Sequence, residues 1–359
     1  MLNQVKWCGG LLNMVQQPFS RVPEIPSAEA LIDIAYRRSL KASPSIPLQA
    51  PRIVKMKRLA EARIRSLGDF LCSKLNSIYA ALPSSRDLHP FYRTLLGLVV
   101  KFEDYNKARS KLKASQRIIR KLVREYTTKV REAASPADVG KIRREAYGRI
   151  LSVIRRIRKQ LELLEKVRKS LYKVPSVDPE GVIIVVAGYP NVGKSTFVDQ
   201  VSTAKPKIAE YPFTTTEIVV GHLTLNALRV QVIDTPGLLD RPIYKRNKIE
   251  RMAIAAIEHL ADSIIFILDP SETSGYTIEE QLSLFKEIKN TFKTTPIIPV
   301  LNKVDISTKD QVKRCEDALG ASLFKMVAKD GVGVHEVLLE AIRLAKASSQ
   351  LAVAGVDQP

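Results

Sequence analysis

The sequence predicts two unlike folds on one chain: an all-α helical bundle at the N-terminus, then an α/β phosphate-loop domain. Three observations predict this. Residues 1–180 hold 37 Lys+Arg against 16 Asp+Glu, a net +21, whereas residues 181–359 hold 20 against 21, a net −1. The first half carries apolar residues at helical spacing, and the second alternates short apolar runs with helical stretches. At the first such alternation stands the uninterrupted phosphate-loop pattern G-x-x-x-x-G-K-[ST].

Within the helical half, residues 1–26 suggest a short helix ending at Pro18, followed by an extended stretch from Val22 to Pro26. Ser27 before Ala28 and Glu29 marks a helix start for Ala30–Lys41, which Ser43-Pro44-Ser45-Ile46-Pro47 stops. A second helix runs from about Pro51 to Leu82, and Phe91–Ala134 forms one or two more, closed by Ser135-Pro136. From Asp138 to Tyr172, Ile150, Ile157, Leu164 and Leu171 recur every seven residues. Val153, Ile154, Leu161 and Val167 widen that stripe. Three heptads interrupted by Gln160 predict a bundle rather than a coiled coil.

The basic residues lie mostly off the stripe, among them Arg149, Arg155, Arg156, Arg158, Lys159, Lys166, Lys169 and Lys173. The preceding helix adds Lys107, Arg109, Lys111, Lys113, Arg117, Arg120, Lys121 and Arg124. A face of largely one sign repels itself and is relieved by a polyanion, which points to nucleic acid. Few aromatics interleave with these charges, so backbone and shape recognition of folded RNA fits better than base stacking.

Other classes are disfavoured. The three cysteines, Cys8, Cys72 and Cys315, are far apart and lack metal-ligand spacing, so a disulfide scaffold is not expected and a reducing cytoplasm is. No apolar run reaches membrane-spanning length, and the N-terminus lacks the order of segments found in a secretory signal.

A linker at residues 173–181 leads into apolar runs at Val182–Ala187, Arg229–Ile233, Ser263–Leu268 and Pro296–Leu301. Separated by helical stretches, these predict a mostly parallel sheet with helices on both faces. Gly188-Tyr189-Pro190-Asn191-Val192-Gly193-Lys194-Ser195 follows the first strand and opens a helix. Its glycines let backbone amides turn toward phosphate oxygens, and the helix N-terminus adds positive potential. Lys194 is placed to bridge β- and γ-phosphates and Ser195 to bind Mg²⁺, with Gly188, Val192, Gly193 and Thr196 completing the cradle.

Asn302-Lys303-Val304-Asp305 follows the last of those strands. Asp305 can accept hydrogen bonds from guanine N1–H and the exocyclic amine; adenine would leave that carboxylate unpaired. Asn302 holds the loops and the base edge, and the Lys303 stem covers the ring. Asp234-Thr235-Pro236-Gly237 supplies the carboxylate that stands behind the Mg²⁺ shell, Asp234, and a γ-phosphate amide, Gly237. One threonine of Tyr211-Pro212-Phe213-Thr214-Thr215-Thr216 completes the metal shell through its hydroxyl.

These residues resemble the Obg superfamily of P-loop GTPases, and within it the nucleolar GTP-binding protein (Nog) family in its short archaeal form. Gly188–Thr196, Tyr211–Thr215, Val220-Gly221-His222 and Asp234–Asp240 carry the resemblance. So do Arg246-Asn247, Glu280-Gln281-Leu282, Val174–Pro179 and Ile25-Pro26. It implies a GTP-hydrolysing switch that binds precursor large ribosomal subunits, their rRNA and ribosomal proteins. It is expected to be a cytoplasmic monomer off the particle and to use GTP/GDP and Mg²⁺. Family spacing selects Thr215 as the metal ligand and Val327-Ala328-Lys329 as the last guanine-contacting motif, here departing from the usual Ser-Ala. The domains are then a basic RNA-facing domain over 1–180, a GTPase domain over 181–347 and a flexible tail over 348–359.

Ras-like enzymes orient water with a glutamine where this chain has Leu238, so slow intrinsic hydrolysis is expected, stimulated by ribosomal particles. Related GTPases use an asparagine at the Asn191 position to bind K⁺, which makes Asn191 a candidate catalytic residue beside Lys194, Thr215 and Gly237. An Asn that only stabilises the loop turn is the other reading. His222, expected after a strand, and His259, within a helix, are structural. Arg246, after the Asp-x-x-Gly motif in the switch, is placed to contact RNA or help sense nucleotide, with surface charge as the blander reading. Two rival classes remain: an RNA-binding assembly protein with structural GTP, and a basic peripheral membrane GTPase, which lacks a lipidation motif or anchor.

Overall fold

The computed structural model describes residues 17–47, 49–172, 174, 177–178, 181–210, 217–225, 227–241, 246–320 and 323–354. The chain divides into two compact units. One comprises Pro18–Leu88 with Leu95–Tyr172, and the other gathers Lys173–Pro359 with His89–Thr94 and Met1–Gln17. The predicted helix ending at Pro18 lies largely outside the described residues, and so does Cys8.

The first unit is helical. Helix α1 (Ala28–Leu40) is capped by Ser27, whose hydroxyl accepts the Ala30 amide at 3.1 Å. Helix α2 (Arg52–Ala81) fills the predicted span between two proline-containing breaks. The stretch after it resolves into α3 (Pro90–Val99), which belongs to this unit from Leu95 onward, and α4 (Phe102–Glu132). Helix α2 packs along α4, and a Cβ on Gly68 would stand 2.2 Å from Val123 Cγ2, so this close crossing needs glycine. Leu67, Leu71, Tyr105 and Tyr126 fill the core beside it.

Residues 136–172 are not one helix. They form α5 (Pro136–Arg156) and α6 (Arg158–Tyr172), divided at Ile157. There φ is −99° and ψ 12°, and the amide bonds back three residues to Ile154 at 3.1 Å. The apolar stripe survives the break, because Ile150, Ile157, Leu164 and Leu171 are all buried. Pattern spacing registers burial, not a single off-helix residue between two buried turns.

The second unit is built on β1 (Val182–Ala187), β2 (Lys207–Glu210), β3 (Glu217–Leu225), β4 (Leu228–Asp234), β5 (Ser263–Leu268), β6 (Ile297–Leu301) and β7 (Phe324–Lys325). Among the described residues these make one sheet in the order β2-β3-β4-β1-β5-β6-β7. Strands β4, β1, β5, β6 and β7 are mutually parallel; β3 runs antiparallel to both neighbours. The helices are α7 (Lys194–Val201), α8 (Lys248–Glu258), α9 (Ile278–Thr291), α10 (Lys309–Leu319) and α11 (Val334–Ala354). Connections through α7 run toward β2 and those through α8, α9 and α10 toward β7. Right-handed crossovers therefore place them on opposite faces. The mostly parallel sheet with helices on both faces is the predicted architecture.

Three local expectations change. His222 lies inside β3, opposite Gln231, and β2 and β3 form an antiparallel edge absent from the predicted strands. His259 caps α8 instead of lying within it. Helix α11 continues to Ala354, since nothing between Ala347 and Gly355 breaks a helix, so most of the expected tail is helical. The linker also has a defined end. Asp178 pairs with Arg229 at 2.6 Å, and its backbone exchanges hydrogen bonds with the Gln231 side chain at 3.1 and 2.9 Å.

Candidate functional site

A parallel sheet delivers its loops to the carboxyl ends of its strands, where opened backbone and helix N-termini concentrate. The loops after β1, β4, β5, β6 and β7 carry nearly every residue picked out above.

The phosphate loop spans Gly188 to Ser195. Gly188 has φ +136°, and a Cβ there would meet the Ile267 carbonyl at 2.4 Å. Asn191 is exposed at φ +62°, a left-handed turn that asparagine tolerates. Its loop-turn role is thus accounted for by backbone geometry. The Lys194 ammonium closes the loop on itself, donating to the carbonyls of Gly188 at 2.9 Å and Tyr189 at 2.8 Å. Burial pushes its pKa down, while Asp234 and Asp240 pull it up. Ser195 and Thr196 are exposed at the start of α7.

Asn302 joins three loops. Its Nδ2 donates to the Val192 carbonyl at 2.8 Å and its Oδ1 accepts the Ala328 amide at 2.9 Å. The closeness is why position 193 needs glycine: φ is +104°, and a Cβ would lie 2.2 Å from that Nδ2. Ala328 opens a 3₁₀ turn over Ala328–Asp330, and the neighbouring Lys329 carbonyl accepts from Gln200 at 3.3 Å. Lys303, at φ +59°, anchors its ammonium on Asp269 at 2.8 Å and Thr273 at 2.9 Å. Asp305 is exposed beside this anchor. The structure brings Asn302, Lys303, Ala328 and the phosphate loop together.

Sequence reasoning missed the support beneath them. Asp269 is fully buried after β5, with Oδ1 taking the Ser271 amide at 3.1 Å and Oδ2 the Ser274 amide at 2.9 Å. Burial works against its charge, but Lys303 and the serines outweigh it, so its pKa is held below the usual carboxylate value. Gln281 brackets Asp269, accepting its amide at 2.7 Å and donating to its carbonyl at 3.0 Å. Tyr276 in the same loop stacks on Tyr189 with ring centroids 4.1 Å apart. Glu280-Gln281-Leu282 was the available signal, but nothing local to it indicates a partner twelve residues upstream.

Beside the loop, the Ser195 hydroxyl donates to Asp234 Oδ2 at 2.8 Å. Burial raises the Asp234 pKa against the pull of Lys194 and Ser195. Its Oδ1 and the Thr235 hydroxyl are buried with no hydrogen-bond partner among the described residues. Unsatisfied oxygens beside an exposed serine hydroxyl fit a hydrated Mg²⁺ bound with an anionic ligand. Thr215, the other expected metal ligand, lies outside the described residues, as does all of residues 211–216.

Gly237 departs from expectation. Its amide, expected to be available to a phosphate, donates to Asp240 Oδ2 at 2.6 Å, and its carbonyl accepts from Arg246 at 2.8 Å. Arg246 is only 4% exposed, which overturns the reading of it as surface charge. Its fork reaches inward, with Nη2 on the Arg241 carbonyl as well as Nη1 on that of Gly237, so its hydrogen bonds lie inside the loop. Leu238, next to Gly237, is fully buried.

Similarity to known proteins extends over both units. The family model for the NOG1 N-terminal helical domain matches residues 19–178, and the model for nucleolar GTP-binding protein 1 (NOG1) matches residues 248–305. An uncharacterised protein of Methanocaldococcus jannaschii is 37% identical over 82% of this chain and 83% of its own. Nucleolar GTP-binding protein 1 of Caenorhabditis elegans is 34% identical, covering 89% of this chain and 46% of its own length. A solved structure from Plasmodium falciparum, provisionally named nucleolar GTP-binding protein 1, is 34% identical with a TM-score of 0.45 over 50% of this chain and 94% of its own. The chain thus spans most of the M. jannaschii relative but about half the length of the C. elegans one. With both units matched, the chain belongs to the nucleolar GTP-binding protein 1 family.

Proposed function

We propose that the chain is a GTP-binding and GTP-hydrolysing switch that binds precursors of the large ribosomal subunit and acts in their assembly. The observation that carries the nucleotide half is the Asn302 amide, which fixes the phosphate loop to the Ala328 turn at 2.8 and 2.9 Å. Base-reading and phosphate-reading loops held in one frame are what a guanine nucleotide requires. Asp305 reads the base, Lys303 and Lys329 flank it, and Lys194 with the loop amides takes the phosphates.

Mg²⁺ would be held by Ser195 and Thr215, with Asp234 behind it, and would neutralise charge building on the phosphates. Lys194 would stabilise the β–γ bridge as that P–O bond breaks and water adds to the γ-phosphorus, giving GDP and phosphate. Asn191 is the residue we assign to K⁺. A fully buried Leu238 supplies no group to orient the water, so turnover is expected to depend on a particle-borne contribution. The same observation favours a second reading, structural GTP binding with negligible hydrolysis.

The particle-binding half rests on charge. Lys107, Lys111, Lys113, Arg117, Arg120, Lys121 and Arg124 on α4 are all exposed, as are Arg155, Arg156, Arg158 and Lys159 at the α5–α6 break. Among the described residues no helix is long and apolar enough to cross a membrane. Multiple-turnover phosphate release with large-subunit precursors, lost in Lys194→Ala, is the expected result. Wild-type release equal to that of Lys194→Ala would leave only the structural reading. Sedimentation with liposomes instead of subunits would sink the ribosomal one.

A further inference from the structure

We infer that Asp240 is an internal stand-in for the γ-phosphate, a carboxylate that holds the Gly237 amide and must be displaced when the triphosphate binds. The inference rests on the nucleotide site proposed above. Its basis is geometric. The Gly237 amide is the group that a bound γ-phosphate would engage, and here it donates to the Asp240 carboxylate, at Oδ2, at 2.6 Å. Asp240 is 9% exposed, so this anion is withdrawn from water and placed inside the loop that follows β4.

The Lys194 ammonium is itself held inside the phosphate loop by the Gly188 and Tyr189 carbonyls. The strand end therefore holds an anion on the Gly237 amide, the same donor that the nucleotide's terminal phosphate would take.

The structure also supplies somewhere for the displaced carboxylate to go. Asp240 Oδ1 and Arg246 Nε are both buried with no hydrogen-bond partner among the described residues. The other two nitrogens of the Arg246 fork are used, Nη1 on the Gly237 carbonyl and Nη2 on the Arg241 carbonyl at 2.5 Å. Arg246 thus grips the peptide that must move and keeps one donor in reserve. When a γ-phosphate takes the Gly237 amide, the released Asp240 pairs with the free edge of Arg246. The Gly237 amide then keeps an anionic acceptor and the Asp240 carboxylate keeps a donor.

GDP makes no demand on this exchange, because it brings no group for the Gly237 amide. GTP must compete with a carboxylate already in place. The consequence is a bias toward GDP written into the chain, one that a particle could remove by drawing Asp240 away. Asp240 and Arg246 are positioning residues in this scheme; neither touches the reacting atoms.

The test is titration of the full chain with GDP and with a non-hydrolysable GTP analogue, comparing wild type with Asp240→Asn and Arg246→Met. Asp240→Asn keeps the shape and removes the charge. The ratio of analogue to GDP dissociation constants should fall about tenfold, equivalent to about 1.4 kcal/mol. Arg246→Met removes the donor that receives the released carboxylate and should move the ratio severalfold the other way. Opposite shifts cannot come from general loosening of the loop, which would weaken both variants alike. An unchanged ratio in both variants, or a shift of the same sign, overturns the inference while leaving the nucleotide site intact. Failure of wild type to bind either nucleotide would instead overturn the proposed function, and this inference with it.

Discussion

The two units handle charge in opposite ways. Among the described residues of the helical unit the buried polar side chains, Ser39, Ser85, Ser115, Gln116 and Thr127, are all neutral, and most of the cations stay at the surface. In the α/β unit Asp178, Lys194, Asp234, Asp240, Arg246 and Asp269 are all buried. Surface charge of one sign acts at a distance and is weakened by salt. Buried charge acts within a few ångströms and persists only where partners fix it. The helical unit is therefore suited to gathering a polyanion, and the α/β unit to holding a small anion in one geometry.

The comparison breaks most sharply at position 193. Gly193→Ala places a Cβ 2.2 Å from the Asn302 amide at a backbone angle unsuited to alanine. It is expected to cost about 3 kcal/mol and to abolish nucleotide binding. Retained GDP binding by calorimetry would show that the Asn302 frame does not govern the site.

Next comes the buried pair. Lys303→Met strands Asp269, whose side chain is fully buried, and should destabilise the protein by about 3 kcal/mol at pH 7. Asp269 has a depressed pKa in the folded state, so its stabilisation is present above the ordinary carboxylate pKa and is lost as pH falls through the folded value. Without Lys303 burial dominates and the carboxyl prefers its proton. The gap in melting temperature between variant and wild type should then narrow on going from pH 7 toward pH 4. A gap that is constant with pH would mean that the pair contributes packing and not charge.

How far the sequence reached follows the same divide. Gly188–Ser195, Asp234 and Asn302–Asp305 were legible because each is a short, contiguous run whose spacing encodes its chemistry. The α6 stripe was legible because burial repeats every turn. Asp240, Arg246, Asp269 and Gln281 were not, since their partners lie on different loops and only the folded sheet brings them together. The Ile157 break was hidden for another reason: the buried pattern continues across it.

Smaller effects sharpen the helical side. Reversing Arg155, Arg156 and Arg158 to Glu should leave the melting temperature nearly unchanged and weaken RNA binding at low salt. The slope of log affinity against log salt should fall by roughly two to three. An unchanged slope would remove the α5–α6 break from the interface. The smallest expected change concerns Asn191: particle-stimulated turnover should be severalfold faster in K⁺ than in Na⁺. Equal rates would leave Asn191 with its left-handed turn alone.

The division of labour itself is tested most directly by crosslinking the full chain to large-subunit precursors in GDP and GTP-analogue states and mapping the linked residues. Crosslinks to ribosomal RNA are expected within residues 101–173, with an intensity that changes with the nucleotide. Crosslinks confined to the α/β unit, or none within 101–173, would contradict it.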